Sequence, residues 1–170
     1  YERNLSRSMA NCYDDSIKDK EDDQMNYEVV HLEEKIIVGV SAATSNSDPE
    51  MGKIIGGLWE KLYQGGINAV IKNKVNEYAI GLYSDYTADG YCVTAGNEVS
   101  KAENPELTVK TIPAGKYAKF SVHGHMEKAV SDSWGEIWQT DLDRSFTGDF
   151  EEYRNADPEN CDIDIYIALK

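Results

Sequence analysis

Near the C-terminal end of the chain, Asp149-Phe150-Glu151-Glu152-Tyr153 follows one short loop after a segment carrying Trp134 and Trp138. In an extended chain successive side chains point to opposite faces, so Glu151 and Tyr153 share one face while Phe150 and Glu152 take the other. A carboxylate beside a tyrosine, with tryptophans close in sequence, is equipment for holding an apolar cation. The rings supply apolar area and a negative quadrupole face, and the carboxylate supplies the counter-charge. The competing reading of the same five residues is a surface strand with solvated acids. Inside an aromatic cleft the carboxylate is costly and is pushed toward its neutral form, so cation binding is expected to weaken as pH falls.

Other residue groups point to other chemistry with less support. His123-Gly124-His125 has a spacing that can share a metal, but no third ligand is indicated, and no metal is expected. Ser121, His123 and Asp132 contain the residue types of a nucleophilic triad, although closeness in sequence is not geometry. No nucleophile elbow or phosphate loop is present, so no catalytic residues and no cofactor are assigned.

The formal net charge of −14 argues against a nucleic-acid surface within this chain and against an anionic membrane, since both need clustered Lys and Arg. It favours a cationic small molecule. No apolar run approaches the roughly 18 residues that span a bilayer. Cys12, Cys92 and Cys161 are odd in number and widely spaced, which reads as reduced thiols in a cytoplasmic protein.

These residues are positioned by alternating elements. Residues 1–26 are polar and include Asp19-Lys20-Glu21-Asp22-Asp23, which reads as an arm or linker. From Tyr27 the chain turns β-rich, and one long or bent strand is expected through Ser41. Asp48-Pro49 marks a helix start, with Asp as cap and Pro at the first helical position. Ile54, Ile55, Leu58, Trp59, Leu62 and Tyr63 make its apolar stripe, and Gly65-Gly66 ends it. Strands at 78–86 and 91–99 follow, joined by the turn Thr87-Ala88-Asp89-Gly90. The order then recurs: extended at 107–112, a bend at Pro113-Ala114-Gly115, a strand at 116–123, and a helix marked by Met126, Val130, Trp134, Ile137 and Trp138. Strands at 148–154 and 161–169 complete it. The fold expected is α+β: a β-α-β-β module duplicated with pseudo-twofold symmetry, halves about 27–100 and 105–170. Its antiparallel sheet carries two helices and a ligand cleft at the junction.

The series Tyr27-Glu28-Val29-Val30, Leu58-Trp59, Gly81-Leu82-Tyr83-Ser84-Asp85-Tyr86, Ile112-Pro113-Ala114-Gly115-Lys116-Tyr117, Trp134 with Ile137-Trp138, Asp149-Phe150-Glu151-Glu152-Tyr153 and Ile165-Tyr166-Ile167 resembles the GyrI-like effector-binding domain. That module serves many bacterial AraC- and MerR-type regulators and also occurs free-standing. The resemblance covers Tyr27 to Lys170. It implies binding of lipophilic, often cationic molecules between the two halves, with a glutamate of the last Phe-Glu-x-Tyr strand meeting the charge. Carried over, that glutamate is Glu151, with Tyr153 as its strand neighbour. Tyr83, Tyr117, Trp138, Trp59, Tyr86, Tyr91 and Trp134 are the implied walls. No helix-turn-helix precedes Tyr27. Either a DNA-binding part belongs upstream or the chain is a stand-alone binder, and its oligomeric state is open.

The resemblance also carries two rivals. Some members hydrolyse strained electrophiles in the same cleft, which would use Glu151 with Tyr83, Tyr117 or Tyr153. Gyrase-inhibitor members suggest protein docking, for which the acidic stretch from Asp141 to Asp164 would be the footprint.

Overall fold

The structure is a computed structural model that describes residues 25–170. Residues 1–24 of the expected arm, Cys12 among them, lie outside the described residues. The elements run β1 (Glu28–Leu32), β2 (Lys35–Thr44), α1 (Met51–Tyr63), α2 (Ile67–Val70), β3 (Ala79–Thr87), β4 (Gly90–Val99), β5 (Thr108–Ile112), β6 (Gly115–Gly124), α3 (Met126–Ile137), β7 (Asp149–Tyr153) and β8 (Cys161–Ala168). All eight strands form one antiparallel sheet in the order β1-β6-β8-β7-β3-β4-β2-β5.

Read outward from the central β3/β7 pair, the order is alike in both directions: β7-β8-β6-β1 one way, β3-β4-β2-β5 the other. Each side holds one β-α-β-β run, β6-α3-β7-β8 or β2-α1-β3-β4, with one edge strand added. The edge strands are exchanged. β1 pairs with β6 of the later run, and β5 pairs with β2 of the earlier one. The single strand expected from Tyr27 to Ser41 is therefore two strands near opposite ends of the sheet. Glu33 and Glu34, both exposed, mark the break, because a crossing segment has no ladder partner and is best solvated.

Helix α1 begins two residues after Pro49. Asp48 Oδ1 accepts the Glu50 amide at 2.8 Å, so the aspartate closes the turn that leads into the helix. Gly66 takes φ 75°, and the short α2, not expected from sequence, starts there.

Both long helices lie on one face of the sheet. Leu58 and Leu62 of α1 bury against Val38, Val93, Ala95 and Val99 of β2 and β4. Ile137 of α3 buries against Ala118, Phe120, Ile163, Ile165 and Ile167 of β6 and β8. Each such side chain contributes about 1.5–3 kcal/mol on burial. The opposite face holds its own apolar cluster, with Ile37, Ile80, Leu82, Ile112, Tyr117, Phe150 and Tyr166. Strict alternation along β7 and β8 sends Glu151, Tyr153 and the isoleucines toward the helices and Phe150 and Tyr166 away from them. Among the described residues no helix is long and apolar enough to cross a membrane.

Candidate functional site

The β3/β7 pair is the seam of the sheet, with α1 packed to one side of it and α3 to the other. In the ladder Ala79 faces Tyr153 and Gly81 faces Glu151. Gly81 matters through what it lacks. A Cβ there would stand 3.0 Å from Glu151 Oε2 and 3.1 Å from Trp59 Cζ2. The glutamate side chain and the Trp59 ring occupy the space a side chain would fill.

Glu151 is only 2 % exposed. Its Oε1 accepts the Tyr83 hydroxyl at 3.0 Å and the Trp134 indole N–H at 2.7 Å, and its Oε2 accepts the Tyr153 hydroxyl at 2.7 Å. All three donors are neutral, and no ion pair involves Glu151 among the described residues. Burial pushes its carboxyl above the ordinary carboxylate range, and the three hydrogen bonds only partly offset this. Burial, then the charge of Glu151, holds the Tyr83 and Tyr153 hydroxyls well above their usual range, so both stay protonated and donate.

Further rings surround this centre. Trp59 meets Tyr153 edge-on with centroids 5.1 Å apart and stacks on Tyr63 at 6.2 Å. Tyr83 lies edge-on to Trp134 at 5.3 Å and to Tyr91 at 5.7 Å. Of the residues singled out in the sequence, Glu151, Tyr153, Tyr83 and Trp134 are thus bonded together, and Trp59 and Tyr91 pack against them.

Two expected walls stand elsewhere. Tyr117 is on the opposite face, edge-on to Phe150 at 5.9 Å, with its hydroxyl donating to the Pro113 carbonyl at 2.6 Å. Alternation along β6 turns Ala118 and Phe120 toward α3 and therefore Tyr117 away from it. Trp138 caps the C-terminal end of α3, tilted against Trp134 at 6.2 Å and 59 % exposed, so it stands at the outer margin.

A second buried carboxylate, Asp149, was missed. Its Oδ2 accepts Arg144 Nη2 and the Tyr86 hydroxyl, both at 2.6 Å, and its Oδ1 accepts the Ala168 amide at 2.8 Å. The parity of Asp149 with Glu151 was a signal for it. The partnership with Arg144 depends on a loop path that spacing does not reveal.

The remaining candidates do not assemble. Ser121 donates to Asp164, His123 pairs with Asp162, and Asp132 pairs with Lys128, so no triad forms. His125 caps α3, its ring nitrogen accepting the Lys128 amide at 3.3 Å. Among the described residues no group of three or more His, Cys, Asp or Glu could hold a metal. Cys92 and Cys161 are free thiols. Much of the acidic stretch is bonded within the chain, Asp143 to Lys170, Asp149 to Arg144 and Asp162 to His123. A surface hollow of about 400 Å³ lined by Ala102, Glu103, Asn104, Pro105, Leu107 and Val109 shares no residue with the Glu151 cluster.

A family model described as Cass2, integron-associated effector binding protein, matches residues 28–169. An integron cassette protein from the mobile metagenome of Vibrio cholerae is 30% identical, with TM-score 0.68, covering 87% of this chain and 97% of that one. SAV2435, solved bound to tetraphenylphosphonium, is 20% identical with TM-score 0.71, covering 86% and 94%. EcmrR, solved in a complex with DNA, is 11% identical with TM-score 0.52, covering 86% of this chain and 59% of EcmrR; at these identities the last two likenesses show the fold. No curated protein matched the sequence.

Proposed function

The chain belongs to the Cass2 family of integron-associated effector binding proteins, and we propose that it binds lipophilic monocations over the β3/β7 seam, with Glu151 as their counter-charge. The observation that carries this reading is a fully buried carboxylate whose partners are all neutral donors. Such a group is driven toward its protonated form. A cation arriving among the rings restores the charged form and meets the quadrupole faces of Trp59 and Trp134. Binding therefore weakens as pH falls below the raised pKa of Glu151 in the free protein and levels off at the lower pKa of the complex.

Glu151 is enclosed, so a ligand must part the rings above it. The two roofs rest on different strands, α1 on β2 and β4 and α3 on β6 and β8. Trp59 of α1 packs against both core clusters, so its contact with Tyr153 is one that must give when they separate over the seam. The structure of SAV2435 with tetraphenylphosphonium supports the ligand class, and the EcmrR–DNA complex supports a role as the sensing domain of a regulator, with a stand-alone binder as the alternative. In this reading the chain itself makes no nucleic-acid contact.

The test is a tryptophan-fluorescence titration with tetraphenylphosphonium and with neutral triphenylphosphine oxide, on the wild-type chain and Glu151→Gln. Saturable quenching by the cation is expected, weakened about tenfold or more in the mutant, as for loss of a desolvated charge contact. Equal responses to cation and neutral compound, or undiminished cation binding by the mutant, would overturn the reading. Glu151 with the protonated Tyr83 and Tyr153 hydroxyls is also the set a hydrolase would use. Product formation from a strained electrophile, lost in Glu151→Gln, would move the assignment there.

A further inference from the structure

Backbone strain gathers at one end of the aromatic row. Asp85 and Phe146 have φ of 53° and 56°, values uncommon for residues with side chains and most unusual for a bulky ring. Both bracket Tyr86. The β3/β4 register runs regularly from Ile80 to Ser84 and then shifts between Ser84 and Thr87. Strict alternation would send Tyr86 away from Tyr83, but this bulge returns it to the same row of rings. Its centroid lies 5.9 Å from Tyr91, which in turn is edge-on to Tyr83. Asp85 is tied down by the Ser84 hydroxyl at 2.9 Å and Lys110 Nζ at 2.8 Å.

Phe146 closes the row from the other side. Its ring is edge-on to Tyr86 at 5.7 Å and lies under the Arg144 guanidinium at 4.3 Å, yet the residue is 52 % exposed. Arg144 is held by Asp149, which also accepts the Tyr86 hydroxyl. A strained backbone that presents an exposed ring persists only where its surroundings hold it, and such arrangements concentrate at ligand clamps. Asp149 is two residues from Glu151, roughly 7 Å along the strand, a distance an aryl arm of a bound cation spans. The charge of Arg144 is already balanced by Asp149, so this wall does not repel a cation.

We propose that Tyr86 and Phe146, positioned by the Arg144–Asp149 ion pair and the Asp85 bulge, form an outer aromatic wall that selects cations bearing aryl groups over alkyl cations of the same charge. This rests on the Glu151 reading, because the wall needs the cation's centre at the seam. Phe146 is the residue to change, since glycine accepts its φ without strain.

The experiment measures Kd for tetraphenylphosphonium and tetrabutylphosphonium with the wild-type chain, Phe146→Gly and Glu151→Gln. Phe146→Gly is expected to lose about tenfold in affinity for the aryl cation, the scale of one aromatic contact, and less than about twofold for the alkyl cation, with Tm not lowered. Equal losses for both cations, or none, would overturn the wall. A loss of both cations in Glu151→Gln belongs to the seam reading alone. An aryl-specific loss in Phe146→Gly beside unchanged binding in Glu151→Gln would remove the charge anchor and leave the wall standing. No binding of either cation by the wild-type chain would overturn both.

Discussion

Asp149 and Glu151 stand two residues apart on one strand and are both buried, 0% and 2% exposed, yet they are satisfied by different means. Asp149 faces a full positive charge, Arg144, together with a hydroxyl and a backbone amide. Glu151 faces two hydroxyls and an indole, all neutral. The first arrangement is complete within the chain. The second satisfies the hydrogen-bonding capacity of the carboxylate but leaves its charge unbalanced in a medium that penalises it. Burial alone therefore does not mark a site. What separates the two is the charge of the partner, a guanidinium at Asp149 and only neutral donors at Glu151.

That contrast predicts opposite responses to removing a partner. Arg144→Met strands a buried charge at Asp149 and should cost about 3 kcal/mol or more in urea denaturation, the largest effect expected here. A loss under about 1 kcal/mol would mean that Asp149 is not held by charge.

Glu151→Gln should instead raise stability at neutral pH. The amide oxygen still accepts Tyr83 and Trp134, and its N–H group can donate to Tyr153. The sign follows from linkage. The folded pKa of Glu151 is raised above the ordinary 4.5, so the native state holds the extra proton, and wild-type stability falls as pH climbs from 4.5 through the raised value. The mutant should melt above the wild type near about pH 8, and the gap should close toward about pH 4. Glu152, also raised by burial, titrates in both proteins and cancels in the difference. A mutant that melts lower at every pH would show that the carboxylate is structural, like Asp149.

The smallest effect sharpens the contrast between the faces of the sheet. Tyr117→Phe removes only the bond to the Pro113 carbonyl, costing about 1 kcal/mol, and should leave cation affinity unchanged. A clear loss of affinity would return Tyr117 to the wall of the site.

What could be read beforehand follows the same physics. Alternation in Asp149–Tyr153 and Cys161–Ala168 is local, so the pairing of Glu151 with Tyr153 on one face was legible, as were the apolar stripes of α1 and α3 and the turn before Gly90. The exchange of β1 and β5 was not, because nothing within Glu28–Leu32 encodes a partner that lies near residue 118. Tyr117 is a wall only by the resemblance, and its place on the opposite face becomes visible when β6 pairs with β8, since a shift of one residue in register reverses every side chain. Tyr86 is named among the implied walls, but the register shift between Ser84 and Thr87 that turns it toward Tyr91 is not legible in the sequence. Gly81 opens the segment Gly81–Tyr86, but its role as the space for Glu151 appears only when β3 and β7 are paired.

The central claim is that Glu151 carries an unbalanced charge which a ligand completes. Its most direct test is carboxyl-carbon NMR of Glu151, titrated with pH in the free protein and in the presence of saturating tetraphenylphosphonium. The expected result is a pKa above the ordinary carboxylate range in the free protein that drops when the cation binds. A pKa in the ordinary range, unmoved by the cation, would contradict it.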